Sequence, residues 1–310
     1  MDRYLVTGGA GFIGSHLVDA LVRRGDSVRV FDNFSSGVAQ NLAAVRDQIE
    51  VIEGDLRDRE AVRRAVEGVD VILHQGALPS VQRSIEDPLA THAVNVDGTL
   101  YLLMAAHEAG VRRVVLASSS SVYGDSPTLP KHEGMPPDPR SPYAVSKLAA
   151  ESYALAWTAS FGLPTIALRY FNVYGPRQSA NSDYAAVIPR FVTRMLRGQP
   201  PIIYGDGLQS RDFTYVEDVV AANLLAAAAP AEVNGAFNVA AGGRYTLLDL
   251  VAALNRILGT DLAPEHAPAR AGEVRHSQAD ISRAGEVLGF EPATPFDEGL
   301  ARTVAFFRAQ

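Results

Sequence analysis

Tyr143-Ala-Val-Ser-Lys147 sets a phenol and an ammonium four residues apart, a helical spacing that puts both on one face about one turn apart. A neighbouring cation favours the phenolate, so a tyrosine that ordinarily loses its proton near pH ~10 can do so closer to neutrality. The pair can make a base. Tyr and Lys at this spacing also occur as an ordinary amphipathic surface pair, so the meaning depends on what the rest of the chain places beside it.

The N-terminus reads Arg3-Tyr-Leu-Val-Thr7, a short run of strand composition, then Gly8-Gly-Ala-Gly11-Phe12-Ile13-Gly14, then the helical pattern Ser15 to Val22. This is the context of a dinucleotide fingerprint, in which glycines permit a tight strand-to-helix turn and a pyrophosphate sits on free amides at the helix N-terminus. Two registers fit: Gly9, Gly11, Gly14, or Gly8, Gly11, Gly14. The next apolar run, Ser27 to Phe31, ends at Asp32, where an acid can take the adenosine ribose hydroxyls. No basic residue follows within four positions, so a 2′-phosphate lacks a partner there and NAD is expected rather than NADP.

The 310 residues suffice for a large core, in one domain or two intimate ones. A net charge of −7 spread without long runs argues against nucleic acid as a partner, and the absence of cysteine leaves neither a disulfide framework nor a thiolate metal site. No signal peptide and no membrane-spanning apolar run is evident, which makes the cytoplasm the expected location.

Short apolar runs near Val28–Phe31, Val51–Glu53, Val69–His74, Arg113–Ser118 and Thr165–Arg169 alternate with helical patterns near Asp58–Glu67, Ala90–Ala109 and Tyr143–Phe161. Such alternation predicts an α/β fold, a Rossmann-type doubly wound parallel sheet with ligands at the carboxyl ends of its strands. At those ends lie Asp55 and Leu56, Gln75, Gly76 and Ala77, Ser118 to Ser121, and Phe171 with Asn172. Singly these are common turn residues; together they outline one crevice. Beyond Arg169 the elements shorten and Pro, Gly and aromatic residues become frequent, as expected of a smaller α/β lobe. The segment Ala263–Ala271 reads either as a linker or, carrying His266 and Arg270, as the lining of a site.

Thr7-Gly-Gly-Ala-Gly-Phe-Ile-Gly14, Gly54-Asp-Leu56, Ser118-Ser-Ser-Ser-Val-Tyr-Gly124, Ser141-Pro-Tyr-Ala-Val-Ser-Lys147, Arg169-Tyr-Phe-Asn-Val-Tyr-Gly-Pro176 and Ser210-Arg-Asp-Phe-Thr-Tyr-Val-Glu-Asp218 closely resemble the motifs of the extended short-chain dehydrogenases, specifically the nucleotide-sugar 4-epimerases. The resemblance runs from residue 3 to about 300, with the motifs in the family's order. It implies a NAD-binding domain over 1–170 plus about 214–240, and a nucleotide-sugar lobe over about 171–213 plus 241–310. It also implies a mechanism. Tyr143 would remove the proton of the sugar's 4-hydroxyl while hydride leaves C4 for the nicotinamide. Lys147 would hold the ribose and keep Tyr143 acidic. Ser119 would hydrogen-bond the same O4, with Ser120 as the other candidate. The 4-keto sugar would then turn and recover hydride on its other face.

By the same resemblance the cofactor would rest on Gly8, Gly11, Phe12, Ile13 and Gly14, on Asp32 and Asn33, and on Asp55 and Leu56. Gln75, Gly76, Ala77, Asn95 and Tyr170 would complete that surface together with Tyr143 and Lys147. The nucleotide sugar would meet Ser80, Ser119 and Asn172, Val187 and Phe191 beside the uracil, and Arg211 and Arg270 at the pyrophosphate, where a guanidinium fork suits anionic oxygens. Tyr204 is expected in lobe packing and Asp218 as a structural carboxylate. A homodimer through the two long helices is implied as well.

Neighbouring chemistries fit less well. Sugar 4,6-dehydratases carry an Asp-Glu pair where this chain has Ser120-Ser121, and Phe171-Asn172-Val173 departs from the Phe-Thr-Val of glucuronate epimerases. A dinucleotide-binding module without catalysis would be expected to lack the Tyr-Lys pair. Ser277 falls where the family gates the space beside the sugar's C2 substituent, and a serine leaves room for an acetamido group that a tyrosine would crowd. The expected activity is therefore 4-epimerisation of a UDP-hexose, UDP-glucose and UDP-N-acetylglucosamine both being accepted, with UDP-glucuronate as the alternative substrate.

Overall fold

The computed structural model describes residues 2–180, 186–269 and 274–310. Its first half alternates as the apolar pattern demands: β1 (Arg3–Thr7), α1 (Phe12–Arg24), β2 (Ser27–Asp32), β3 (Ile49–Glu53), α2 (Arg59–Val66) and β4 (Val71–His74). Then follow α3 (Val81–Glu86), α4 (Pro88–His92), α5 (Gly98–Glu108), β5 (Arg113–Ser119), α6 (Pro142–Phe161) and β6 (Thr165–Tyr170). A strand at Gly235–Val239 joins these six in a seven-stranded sheet, lying beside β6, with β5, β4, β1, β2 and β3 following in that order. Every pairing in it is parallel. The order reverses between β1 and β4, which opens a crevice at the strands' carboxyl ends.

Local chemistry sets the helix ends. Asp58 accepts hydrogen bonds from the amides of Glu60 and Ala61 to start α2, and Ser141 accepts from Ala144 N to start α6, with Pro142 in the first turn. Gly25 and Gly162 close α1 and α6 in the left-handed conformation (φ 86° and 71°) that a glycine adopts without penalty. The pattern over Ala90–Ala109 is not one α-helix. Ala93–Asp97 forms a π-helical turn between α4 and α5, a feature that places Asn95 inward and is common at functional sites.

Two apolar layers cover the sheet. Leu17, Val18 and Leu21 of α1 and Val219, Ala222 and Ala226 of α8 (Val216–Ala228) pack one face, while Val62 of α2, Leu102 of α5 and Ala150 of α6 pack the other. A separate cluster builds the lobe from Ile188 and Val192 of α7 (Val187–Leu196), Leu250 and Leu254 of α9 (Leu247–Leu258), and Leu300. The linker reading of Ala263–Ala271 is corrected in its described part, because Glu265–Ala267 is a strand paired with Ile202–Tyr204. No helix among the described residues is long and apolar enough to cross a membrane.

Candidate active site

The turn after β1 is built for close approach. Gly8 adopts φ 65°, and a Cβ on it would lie 2.8 Å from Gly76 at the end of β4. A Cβ on Gly14 would stand 2.1 Å from the Gly8 carbonyl oxygen, and one on Gly11 3.1 Å from it. Gly9 is excluded from a side chain by Val30, 2.8 Å from its notional Cβ. Gly8, Gly9 and Gly14 leave no room for a side chain and Gly11 leaves little, so both registers of the motif describe one turn. Helix α1 begins here with no side-chain cap and no acid in its first turn, leaving its first amides and its dipole available to an anion.

Asp32, at the end of β2 and almost wholly buried, accepts hydrogen bonds from Ala10 N (2.9 Å) and Phe34 N (2.8 Å). Those bonds tie the carboxylate to the glycine turn. Asn33 donates to Asp55 at 2.8 Å. Arg57, which sequence reasoning passed over, grips Asp55 through Nε (2.9 Å) and Nη2 (2.8 Å) and holds its carboxyl far below the ordinary range. The signal was an arginine two residues beyond an acid at a strand end. With its fork on Asp55, this guanidinium is committed to a carboxylate.

Other predicted cofactor residues are brought together but satisfy one another. Tyr170 Oη donates to Gln75 Oε1 (3.2 Å), Gln75 Nε2 donates to Asn223 Oδ1 (3.1 Å), and Asn223 Nδ2 donates to Tyr170 Oη (2.8 Å). Burial pushes the Tyr170 phenol up to about 12. Asn223 was missed; a fully buried amide among the alanines and leucines of α8 was its only mark. Asn95 accepts from Leu78 N (2.8 Å) and donates to Leu78 O (3.2 Å) and Ser146 Oγ (2.9 Å). It therefore braces the segment after β4 against α6. Leu56 packs at Gly76 and Gly98, where a Cβ would meet its side chain at 2.9 and 2.8 Å.

Ser119 ends β5 and Tyr143 lies in the first turn of α6. The Ser119 side chain stands close enough to the Tyr143 phenol to favour its ionised form, and no geometric hydrogen bond joins Ser119 or Ser120 to the Tyr143 side chain among the described residues. Ser119 Oγ also accepts from Ser121 N (3.2 Å) and Ser121 Oγ (2.9 Å). The backbone of Tyr143 is anchored by its amide, which donates to Ser84 Oγ at 3.0 Å. Ser80 caps α3, accepting from Arg83 N. Lys147 is 7 % exposed, donates from Nζ to Ala117 O (3.0 Å), and is brought by burial down to about 8. Burial raises the Tyr143 phenol, and the Ser119 contact pulls it back. The Lys147 ammonium turns to the end of β5.

Below this pair lies a buried ion pair. Glu151 accepts from Arg169 Nε (3.0 Å) and Nη2 (2.5 Å) and from Ser118 Oγ (2.6 Å). Arg169 Nη1 donates to Tyr123 Oη at 2.8 Å. Every charge is met, which fixes the end of β5 that carries Ser119.

In the lobe, Asn172, Val187, Phe191 and Arg211 line one cavity of about 240 Å³. Asn172 has φ 34°, a region asparagine tolerates better than most residues, and its side chain donates to Asp212 O (3.3 Å). Arg211 Nη1 donates to Ser210 O (2.9 Å) and Arg275 O (3.2 Å). Tyr204, on a paired strand of the lobe, also lines this cavity, with the Arg190 guanidinium 5.5 Å from its ring centre. Ser277 does not line it. Its amide donates to Ser210 O at 3.0 Å, setting it beside the Arg211 strand. Arg270 lies outside the described residues. Asp218 accepts from Ala293 N and Thr294 N, as a structural carboxylate should.

The profile of the NAD dependent epimerase/dehydratase family matches residues 4–240. The chain belongs to that family. It is 42% identical over 310 residues to a UDP-glucose 4-epimerase of Mycolicibacterium smegmatis, covering 99% of this chain and 98% of the relative. Among solved structures it is similar to a UDP-N-acetylglucosamine 4-epimerase from Methanobrevibacter ruminantium in complex with UDP-N-acetylmuramic acid (TM-score 0.95, 41% identity, 99% and 98% of the two chains). It is also similar to a Thermus thermophilus UDP-glucose 4-epimerase complex with NAD (TM-score 0.90, 39% identity, 99% of each chain). The fold is the Rossmann-like sheet of a NAD-dependent family, and the uncapped α1 with its bare glycine turn fits that cofactor's pyrophosphate.

Proposed function

We propose that this family member is a UDP-hexose 4-epimerase that interconverts UDP-glucose with UDP-galactose and also accepts the N-acetylated pair. The observation that carries the reading is the approach of the Ser119 side chain to the Tyr143 phenol, with Lys147 one turn further along α6. Bound NAD would supply the hydride acceptor, and later donor, for C4. The chain's own residues manage the proton. Tyr143 takes it from O4 and returns it after the sugar has turned, Ser119 orients O4, and Lys147 holds the ribose and adds positive charge near the phenolate. Gly8, Gly11 and Gly14 admit the pyrophosphate of the cofactor, and Asp32 faces its adenosine ribose.

In this reading the lobe cavity takes the nucleotide, with Phe191 and Val187 beside the uracil and Arg211 on the substrate's pyrophosphate. The sugar itself is held loosely, as turning over requires. The exposed apolar side chains of α4 and α6 pair two copies into a homodimer.

The test is a side-by-side assay of one preparation on UDP-glucose, UDP-N-acetylglucosamine and UDP-glucuronate. Turnover of the first two and not the third is expected; turnover of UDP-glucuronate alone would overturn the assignment. Tyr143→Phe should lower epimerisation by about 100-fold or more while the purified protein keeps its nicotinamide.

A further inference from the structure

Helix α1 meets the lobe along a polar edge of its own. His16 Nε2 donates to Pro176 O at 3.0 Å, and one turn later Asp19 pairs with Arg177 Nη2 at 2.7 Å. Pro176 and Arg177 follow the short strand Val173–Tyr174 and lead to Gln178, which lines the lobe cavity. Arg177 takes φ 66°, a left-handed conformation that is costly for a residue with a Cβ and free for glycine. Something must hold the chain there. The Arg177 and Asp19 side chains are only 19 % and 14 % exposed, and Arg177 Nη1 and Asp19 Oδ1 are buried with no partner among the described residues. Each charge therefore depends on the other, and opening the pair would strand both away from water.

We infer that Asp19, steadied by His16, is a positioning residue for the lobe cavity: its ion pair keeps Arg177 left-handed and so keeps Gln178 in the cavity wall. The helix that offers its N-terminus to the cofactor thereby also shapes the pocket for the substrate. A strained backbone persists only where its surroundings over-determine it, and here the ion pair and the His16 bond fall on adjacent residues of one turn. With the pair broken, Arg177 can relax to negative φ, which turns Gln178 N away from Gly175 O, its acceptor at 3.4 Å. A glycine in place of Arg177 would keep the turn with no pair at all. The consequence for UDP rests on the function proposed above, whereas the hold on the turn does not.

The experiment measures UDP affinity by calorimetry, and hydrogen exchange over residues 173–178, in the whole chain with its nicotinamide retained. Arg177→Ala should weaken UDP binding by about fivefold or more and speed exchange in that segment. KM for a UDP-hexose should rise in step while kcat stays within about twofold. Arg177→Gly, which loses the same guanidinium, should bind UDP within about twofold of the parent and exchange as the parent does. Asp19→Ala should reproduce Arg177→Ala in the parent and add nothing to Arg177→Gly. An unmoved affinity in Arg177→Ala, an equal loss in Arg177→Gly, or a further loss when Asp19→Ala is added to Arg177→Gly would each overturn the inference. A chain whose exchange responds to Arg177→Ala and not to Arg177→Gly, but which binds no UDP, would instead remove the functional reading and leave the hold on the turn standing.

Discussion

His74 carries no charge in the folded chain, and its two partners show why. Thr99 gives its proton to Asn95 O (2.7 Å), so it can only accept from His74 Nε2 (3.0 Å); Thr7 then donates to Nδ1 (2.7 Å). Burial, with the Lys147 charge adding to it, drives the imidazole down to about 3. The unfolded chain would protonate this histidine near pH ~6.5, so between those values it binds the proton that the folded chain refuses. Stability from this group is therefore complete above about pH 6.5 and falls as the pH drops toward 3, by up to roughly 1.4 kcal/mol per unit. Urea unfolding at a series of pH values should show a shallower acid slope for His74→Gln than for the parent; equal slopes would contradict the account. Also at this scale, Ser277→Tyr should depress turnover of the N-acetylated pair far more than that of the plain pair, and equal losses would remove Ser277 as a gate. The placement of Tyr143 and Lys147 one turn apart on α6 and the tight glycine turn after β1 could be read from sequence, because each needs particular residue types at a fixed spacing. Asn223 and Arg57 escaped because their partners, Tyr170 and Gln75 in one case and a two-residue hook onto Asp55 in the other, take their meaning only from the folded contacts.

The start of α1 joins local conformation to cofactor binding. Alanine in place of glycine within a helix ordinarily stabilises by about 1 kcal/mol, yet at Gly14 the new methyl would meet the Gly8 carbonyl oxygen at 2.1 Å. The oxygen belongs to the backbone of the turn, so helix and turn must separate. Gly14→Ala is expected to lower the melting temperature and to yield protein with little nicotinamide. A variant with full cofactor and an unchanged melt would show that the turn can yield. The strands and α6 follow from alternation and capping residues. The π turn at Ala93–Asp97 does not, because five residues are too few to show a change of period in the apolar pattern; in it Asn95 bonds Leu78 and Ser146. The strand Gly235–Val239 was likewise faint: it is five residues long and recognisable as part of the sheet only from its pairing with β6.

Across the whole molecule, an aromatic ladder runs along the outside of α6, with Tyr153 against Trp157 (6.2 Å between centres) and Trp157 against Phe161 (4.9 Å). Phe161 is 51 % exposed, and Leu89 on the neighbouring α4 is 81 % exposed. Trp157 Nε1 is buried with no partner among the described residues. For the proposed homodimer the exposed Phe161 and Leu89 side chains form the contact, and sedimentation should give twice the chain mass for the parent and a single chain for Phe161→Glu. A monomeric parent would refute it. Chain order has a further effect. After β6 the polypeptide departs to form α7, returns as α8 and the edge strand Gly235–Val239, and departs again for α9. Where it returns, it is stitched to its own departure, since Thr214 N donates to Asn172 O (3.3 Å) and Thr214 Oγ1 to Phe171 O (2.7 Å). No single cut frees one half from the other. A fragment ending at residue 170 would expose the edge of β6 and strip α8 from the apolar face it covers. Shuffling whole modules between such proteins would break these seams, so new sugar preferences must arise by exchanging individual side chains within an undivided frame.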